Sequence, residues 1–123
     1  DGTIDMVTSD HQPMNIELKK VEFEHAAYGS LGLESAFGSL CQLFGAEDAA
    51  LMLTKGKERF SVAQSSIAVG EQADMTLFSP DGITTVTKES IKSSVNNNAY
   101  LGREMKGTVI GVIHNNLLFQ NQH

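Results

Sequence analysis

The hydrophobic period of this chain changes once, and that change limits what it can fold into. Residues 16–60 carry helix formers, many charges and apolar side chains at helical spacing. Residues 61–123 are richer in Ser, Thr, Val, Asn and Gly, and their apolar positions alternate. A period near 3.6 buries one stripe of a helix, whereas a period of two buries one face of a strand. The order reads as a strand, then helices, then antiparallel strands, an α/β chain.

Residues 4–8, Ile4-Asp5-Met6-Val7-Thr8, are predicted to form a short, mostly apolar strand. A polar loop with Pro13 follows. Leu18, Val21, His25 and Tyr28 recur at helical spacing and predict an amphipathic helix ending at Gly29. After the turn Gly29-Ser30-Leu31-Gly32, a second stripe of Leu33, Phe37, Leu40, Cys41 and Phe44 is closed by Gly45. Glu47 and Asp48 open a third helix, where the dipole favours acids. It passes through Leu51, Met52 and Leu53 and fades at Gly56. Residues 73–78 alternate up to Ser79-Pro80-Asp81-Gly82, a turn signal, and residues 83–86 give a weaker strand. The β-branched run at 108–114 meets Asn115-Asn116, which predicts a terminal hairpin into Leu117-Leu118-Phe119.

The chain has 123 residues, with 9 Lys and Arg against 15 Asp and Glu, a net charge of −6. A nucleic-acid partner needs a basic face, and so does an anionic membrane surface; neither is expected. No apolar run approaches the ~18 residues of a membrane span. The sequence at Asp1-Gly2-Thr3-Ile4 shows no signal peptide, and the chain does not begin with Met, read here as a sign of sequence upstream. A single cysteine, Cys41, cannot form an internal disulfide, so a reducing cytoplasm is expected. The length suits one domain of about 100–150 residues. It is too short for a complete (β/α)8 barrel, which needs roughly 250.

Asp10 is the first candidate for chemistry. It follows the predicted strand and opens a polar loop, the place where α/β barrels keep their active sites. An Asp there can ligate a metal or move a proton; it can equally cap a helix or close an Asx turn. The adjacent His11 reads either as a pocket residue or as a loop histidine bonded to backbone. His25 lies on a helical stripe, His114 in the late hairpin, and His123 is terminal. No two histidines have metal-ligand spacing, so this chain alone presents no zinc site of three or four ligands. Cys41, among Leu40, Leu43 and Phe44, reads as a small hydrophobe. Gly29-x-x-Gly32 lacks the Gly-Lys-Ser/Thr of a phosphate loop. Lys55-Gly56-Lys57-Glu58-Arg59 reads as a solvated charge run.

Taken together, these residues resemble the cyclic amidohydrolases, and dihydroorotase most of all. Val7-Thr8-Ser9-Asp10-His11-Gln12-Pro13 resembles the family's last barrel strand and its Asp-His-x-Pro loop. The likeness continues through Glu17-x-Lys19-Lys20, Phe23-x-x-Ala26 and Gly29-x-x-Gly32-Leu33-Glu34. Val69-Gly70-x-x-Ala73-Asp74-Met75-Thr76-Leu77-Phe78-Ser79-Pro80 resembles a strand of the small β domain, and Ser93-x-x-Asn96 to Val109 its closing segment.

The resemblance implies a C-terminal fragment of the enzyme. Residues 1–63 would end a TIM-like (β/α)8 barrel, and residues 64–123 would form part of a small β-sandwich. It implies that Asp10 is both the last metal ligand and the shuttle that carries a proton from activated water to the leaving amide nitrogen. His11, Gly29 and Gly32 would contact the substrate. The cofactor implied is zinc, two ions bridged by a carboxylated Lys outside this chain. The implied reaction is the reversible cyclisation of N-carbamoyl-L-aspartate to L-dihydroorotate in pyrimidine synthesis. Implied partners are the small-molecule substrate, the N-terminal part of the enzyme, and further copies in a homo-oligomer.

Two positions depart from the family pattern. A His commonly found four residues after the Asp, on the substrate carboxylate, is Met14 here. A thioether cannot donate that bond, and its loss typically costs about 1.5–3 kcal/mol. The usual Asn-Pro pair near Lys55 is replaced by Thr54-Lys55-Gly56. These departures keep two alternatives open: a catalytically silent subunit that binds aspartate transcarbamoylase, or a dihydropyrimidinase or hydantoinase. One strand and three helices also leave apolar faces uncovered, so the chain is not expected to be stable or active alone.

Overall fold

A computed structural model describes residues 2–64 and 66–121; His123 lies outside them. Three helices, α1 (Leu33–Phe44), α2 (Ala46–Thr54) and the short α3 (Gly56–Arg59), precede three strands, β1 (Met75–Thr85), β2 (Glu104–His114) and β3 (Leu117–Gln120). The strands form one antiparallel sheet in the order β1-β2-β3. The chain is therefore a mixed α/β structure with a small antiparallel sheet.

Of the glycine stops expected in the helical half, the one at Gly45 is borne out, whereas Gly56 opens α3 instead of closing α2. Gly45, at φ +87°, ends α1, and its N–H reaches the Cys41 carbonyl at 3.0 Å. It also precedes the first residue of α2, whose first turn carries Glu47 and Asp48. The terminal hairpin is present too. Asn115 and Asn116 have φ of +50° and +62°, the positive pair that a type I′ turn requires.

Three expectations are corrected. Residues 4–8 form no strand: Val7 N–H bonds the Met52 carbonyl at the end of α2, and no described strand lies beside the segment to form a ladder. The helix expected to end at Gly29 is replaced by two single 3-10 turns, Ile16–Leu18 and Phe23–His25. Asn15 caps Glu17, and Ala27 N–H takes the Leu18 carbonyl, so the helical ladder cannot propagate past Leu18. Lys19 locks the fold-back by donating its ammonium to the Ala27 and Gly29 carbonyls. Finally, Ser79-Pro80-Asp81-Gly82 does not end β1. The register jumps from Ser79↔Thr108 to Ile83↔Lys106, so Pro80, Asp81 and Gly82 form a bulge within one long strand. Pro80 lacks an N–H for the ladder, and an edge strand such as β1 tolerates it at a bulge.

The core is small and falls into two clusters. Leu31, Val86, Ile91 and Met105 form one, and Leu40, Cys41 and Ala49, packed by Val7, Phe37 and Ala46, form the other. α1 lies against β2, where a Cβ on Gly38 would stand 2.7 Å from Met105 Cβ. Phe37 meets Phe78 edge to face at 4.7 Å. Much of the apolar surface stays open, as expected: Phe23 is 98% and Leu43 72% exposed, and every residue of β3 is exposed. Among the described residues no helix is long and apolar enough to cross a membrane.

Candidate functional site at the Asp10 loop

Three segments far apart in sequence meet at Asp10. His11 pairs with Ser30 in a parallel bridge, and Leu31 pairs with Asn98 in another. Gln12 N–H bonds the Ser30 carbonyl at 3.0 Å, and Leu31 N–H the Asn97 carbonyl at 3.1 Å. The Asn97 side chain stitches the outer segments: its Nδ2 donates to the Gln12 carbonyl at 3.2 Å, and its Oδ1 accepts from Met14 N–H at 3.3 Å. The Ser30 hydroxyl donates to the Asn97 carbonyl at 2.9 Å and accepts from Ala99 N–H at 3.0 Å.

Two glycines allow this approach. Gly29 has φ +101°, and a Cβ there would stand 2.3 Å from Gln12 Oε1. A Cβ on Gly32 would stand 2.5 Å from the Ser9 carbonyl oxygen. Both glycines thus sit against the segment that carries Asp10.

Asp10 itself is in the left-handed region, at φ +42°. Asp tolerates this better than most residues, yet an L-residue there costs about 1–2 kcal/mol. Such strain points to a constrained position. The carboxylate is exposed and accepts from Gln12 Nε2 at 3.1 and 3.2 Å on its two oxygens. Lone pairs remain on the solvent side.

His11 is tied at both ring nitrogens. Nδ1 accepts from the N–H groups of Gly32 and Leu33 at 3.1 and 3.2 Å, at the start of α1. In the neutral ring this leaves the proton on Nε2, which faces Ser93 Oγ at 3.4 Å. Ser93 in turn donates its hydroxyl to Glu34 Oε1 at 2.5 Å and its N–H to the same oxygen at 3.1 Å. Burial pushes the Glu34 carboxyl up, but the bonds from Ser93 and from its own backbone outweigh it and hold the group below its ordinary value. The second carboxylate oxygen, Oε2, is buried without a hydrogen-bond partner and lies 3.9 Å from His11 Nδ1.

Ser93, Glu34 and Asn97 were not singled out from the sequence. Ser93 and Glu34 stand inside motifs that carry the resemblance, but 82 residues separate His11 from Ser93 and no spacing rule joins them. A cleft of about 610 Å3 lies between α1 and the sheet. Glu34 is part of its lining and Asp10 is not; the other lining residues are divided between apolar and polar side chains.

As a metal ligand, Asp10 fits singly. Among the described residues the one group of three candidate ligands is Glu22, Glu24 and His25, all exposed and away from Asp10. Further ligands for Asp10 must come from outside these residues.

No family model matches the chain. Individual curated proteins do. The chain is 34% identical over 121 residues to a dihydroorotase of Pelobacter propionicus, a match covering 92% of this chain and 28% of that protein. It is 34% identical over 116 residues to a dihydroorotase of Caldanaerobacter subterraneus, and 30% identical over 128 residues to one of Desulforapulum autotrophicum. The latter match covers 99% of this chain and 30% of that protein. The chain is similar to dihydroorotases along nearly its whole length. It spans less than a third of the curated dihydroorotases it matches. Among solved structures, a D-hydantoinase (dihydropyrimidinase) from Thermus sp. superposes with a TM-score of 0.78 at 23% identity, covering 95% of this chain and 28% of that one. A D-hydantoinase from Bacillus sp. AR9 gives 0.66 at 25% identity, over 93% and 28% of the two chains. The chain therefore shares its fold with a segment of these hydantoinases.

Proposed function

We propose that this chain is the C-terminal part of a cytoplasmic, zinc-dependent dihydroorotase that reversibly cyclises N-carbamoyl-L-aspartate to L-dihydroorotate. The observation that carries this reading is Asp10: an exposed carboxylate held in a strained backbone conformation, in a sequence similar to dihydroorotases. In this reading residues 1–63 complete a (β/α)8 barrel and residues 64–123 contribute to a small β-sandwich. The open apolar surfaces are then interfaces with the rest of the enzyme.

Asp10 would be one ligand of a two-zinc site whose other ligands lie outside this chain. When bound, the metal supplies Lewis acidity and lowers the pKa of a coordinated water. Asp10 then accepts a proton from the attacking water on a carboxylate oxygen and returns it to the leaving amide nitrogen. Gln12 Nε2 steadies the carboxylate during both transfers. Gly29 and Gly32 keep the backbone of residues 29–32 close to the Asp10 loop, so that their amides and His11 line the substrate's path.

A dihydropyrimidinase-type activity is the second reading. Met14 favours it, since that side chain offers no donor for a substrate carboxylate, and the hydantoinase fold is compatible with it. A catalytically silent subunit bound to aspartate transcarbamoylase is the third. Turnover of L-dihydroorotate and of dihydrouracil by the zinc-loaded, full-length protein separates them. Preference for dihydroorotate supports the proposal, preference for dihydrouracil supports the second reading, and no turnover of either leaves the silent subunit.

A further inference from the structure

The proposed chemistry leaves Ser93 and Glu34 without a role, although they are bonded to each other and lie against His11, the residue after Asp10. We propose that Ser93 and Glu34 are positioning residues that hold Asp10 in place through His11. The proposal rests on the reading of Asp10 as the functional carboxylate.

Asp10 occupies an unfavourable left-handed conformation, so its neighbours must over-determine it. His11, next in sequence, is the side chain placed to do so. Its Nδ1 is fixed by two amides of the α1 start, and its Nε2–H by Ser93 Oγ. Donor direction runs one way. Nε2–H points to Oγ, and the hydroxyl hydrogen is committed to Glu34 Oε1, which also accepts the Ser93 N–H. Glu34 is the second residue of α1, directly after Leu33, whose N–H is bonded to His11. The contacts therefore close a ring from His11 to the α1 start, to Glu34, to Ser93 and back. A ring held at both imidazole nitrogens fixes the rotation of the side chain and with it the backbone at residues 10 and 11. Such outer contacts orient a ligand without touching the reacting atoms.

The test uses the full-length protein loaded with zinc ions, with Ser93→Ala, Ser93→Thr, Glu34→Gln and Asp10→Ala variants. Zinc retained after dialysis, kcat and KM on the better of the two substrates, and Tm are measured for each. Ser93→Ala is expected to lower kcat by on the order of 10–100-fold, the usual range for such outer contacts, with KM unchanged, and to leave less zinc bound after dialysis. Ser93→Thr, which keeps the hydroxyl, is expected to restore both. A Ser93→Ala protein that loses only Tm while keeping kcat and zinc overturns the proposal. If Ser93→Ala does not fold, 15N spectra of the unmutated protein decide: His11 protonated on Nε2 upholds the ring of contacts, and protonation on Nδ1 overturns it. Asp10→Ala keeping zinc and rate would instead overturn the reading of Asp10, an outcome that the His11 spectrum does not depend on.

Discussion

Replacing Gly29 by Ala tests the contact on which the site geometry rests. The new Cβ would stand 2.3 Å from Gln12 Oε1, 2.7 Å from Gln12 Cβ and 2.8 Å from Gln12 Cδ. The amide tip can swing away, but Gln12 Cβ is fixed to the backbone, so one of the two segments must shift. The φ of +101° adds strain for any L side chain. The strain is worth about 1–2 kcal/mol, and the overpacking about 1–3 kcal/mol. Together they predict a loss of about 2–5 kcal/mol. A shift of Gln12 also withdraws its amide from Asp10, so kcat falls with stability. Gly102→Ala is the control: it too has positive φ, +79°, but meets nothing within 4 Å. It carries the strain alone, about 1–2 kcal/mol. Urea unfolding of the full-length protein, followed by circular dichroism, reads both losses from the midpoint shift and slope. Equal losses in the two variants, with turnover intact in Gly29→Ala, would refute the packing of residues 29–32 against the Asp10 loop.

Other expectations follow from the same geometry. Leu31, 1% exposed in the cluster beneath the site, should lose about 2–5 kcal/mol on Leu31→Ala in the same urea assay. Burial raises the Cys41 thiol pKa, so a thiol reagent such as dithionitrobenzoate should label it slowly in the native state and rapidly in urea; fast native labelling would contradict its placement. Against the upward push of burial, the bonds from Ser93 hold Glu34 below its unfolded value. Its stabilisation is therefore complete above the unfolded carboxylate range and is lost as pH falls through the lower folded value. Stability measured against acid pH should fall more steeply in the unmutated protein than in Glu34→Gln, and parallel curves would count against it.

What the sequence made legible was what is decided locally. Gly45 does end α1, and Asn115-Asn116 carries the positive φ values of its turn within two residues; Gly56, by contrast, opens α3 instead of ending α2. Failures came where a distant or competing partner decided the outcome. Leu18, Val21 and Tyr28 have helical spacing, but the Ala27-to-Leu18 bond and the Lys19 ammonium fold that segment back on itself. Ser79-Pro80-Asp81-Gly82 has turn chemistry, and a bulge in an edge strand uses Pro80, Asp81 and Gly82. Residues 4–8 have strand character but no described strand to pair with. At the site, Asp10 and His11 were singled out from the polar loop and the resemblance, although the strand expected before them is not formed. Ser93, Glu34 and Asn97 were not, because their partners come from sequence dozens of residues away.

The central claim is that Asp10 holds metal and moves the proton. Bound zinc and kcat, compared between the full-length protein and its Asp10→Ala variant, test it most directly. Loss of zinc together with a fall in kcat of about 100- to 10,000-fold, the range for a removed general acid–base group, is the expected result. Full zinc content and unchanged kcat in the variant would contradict it.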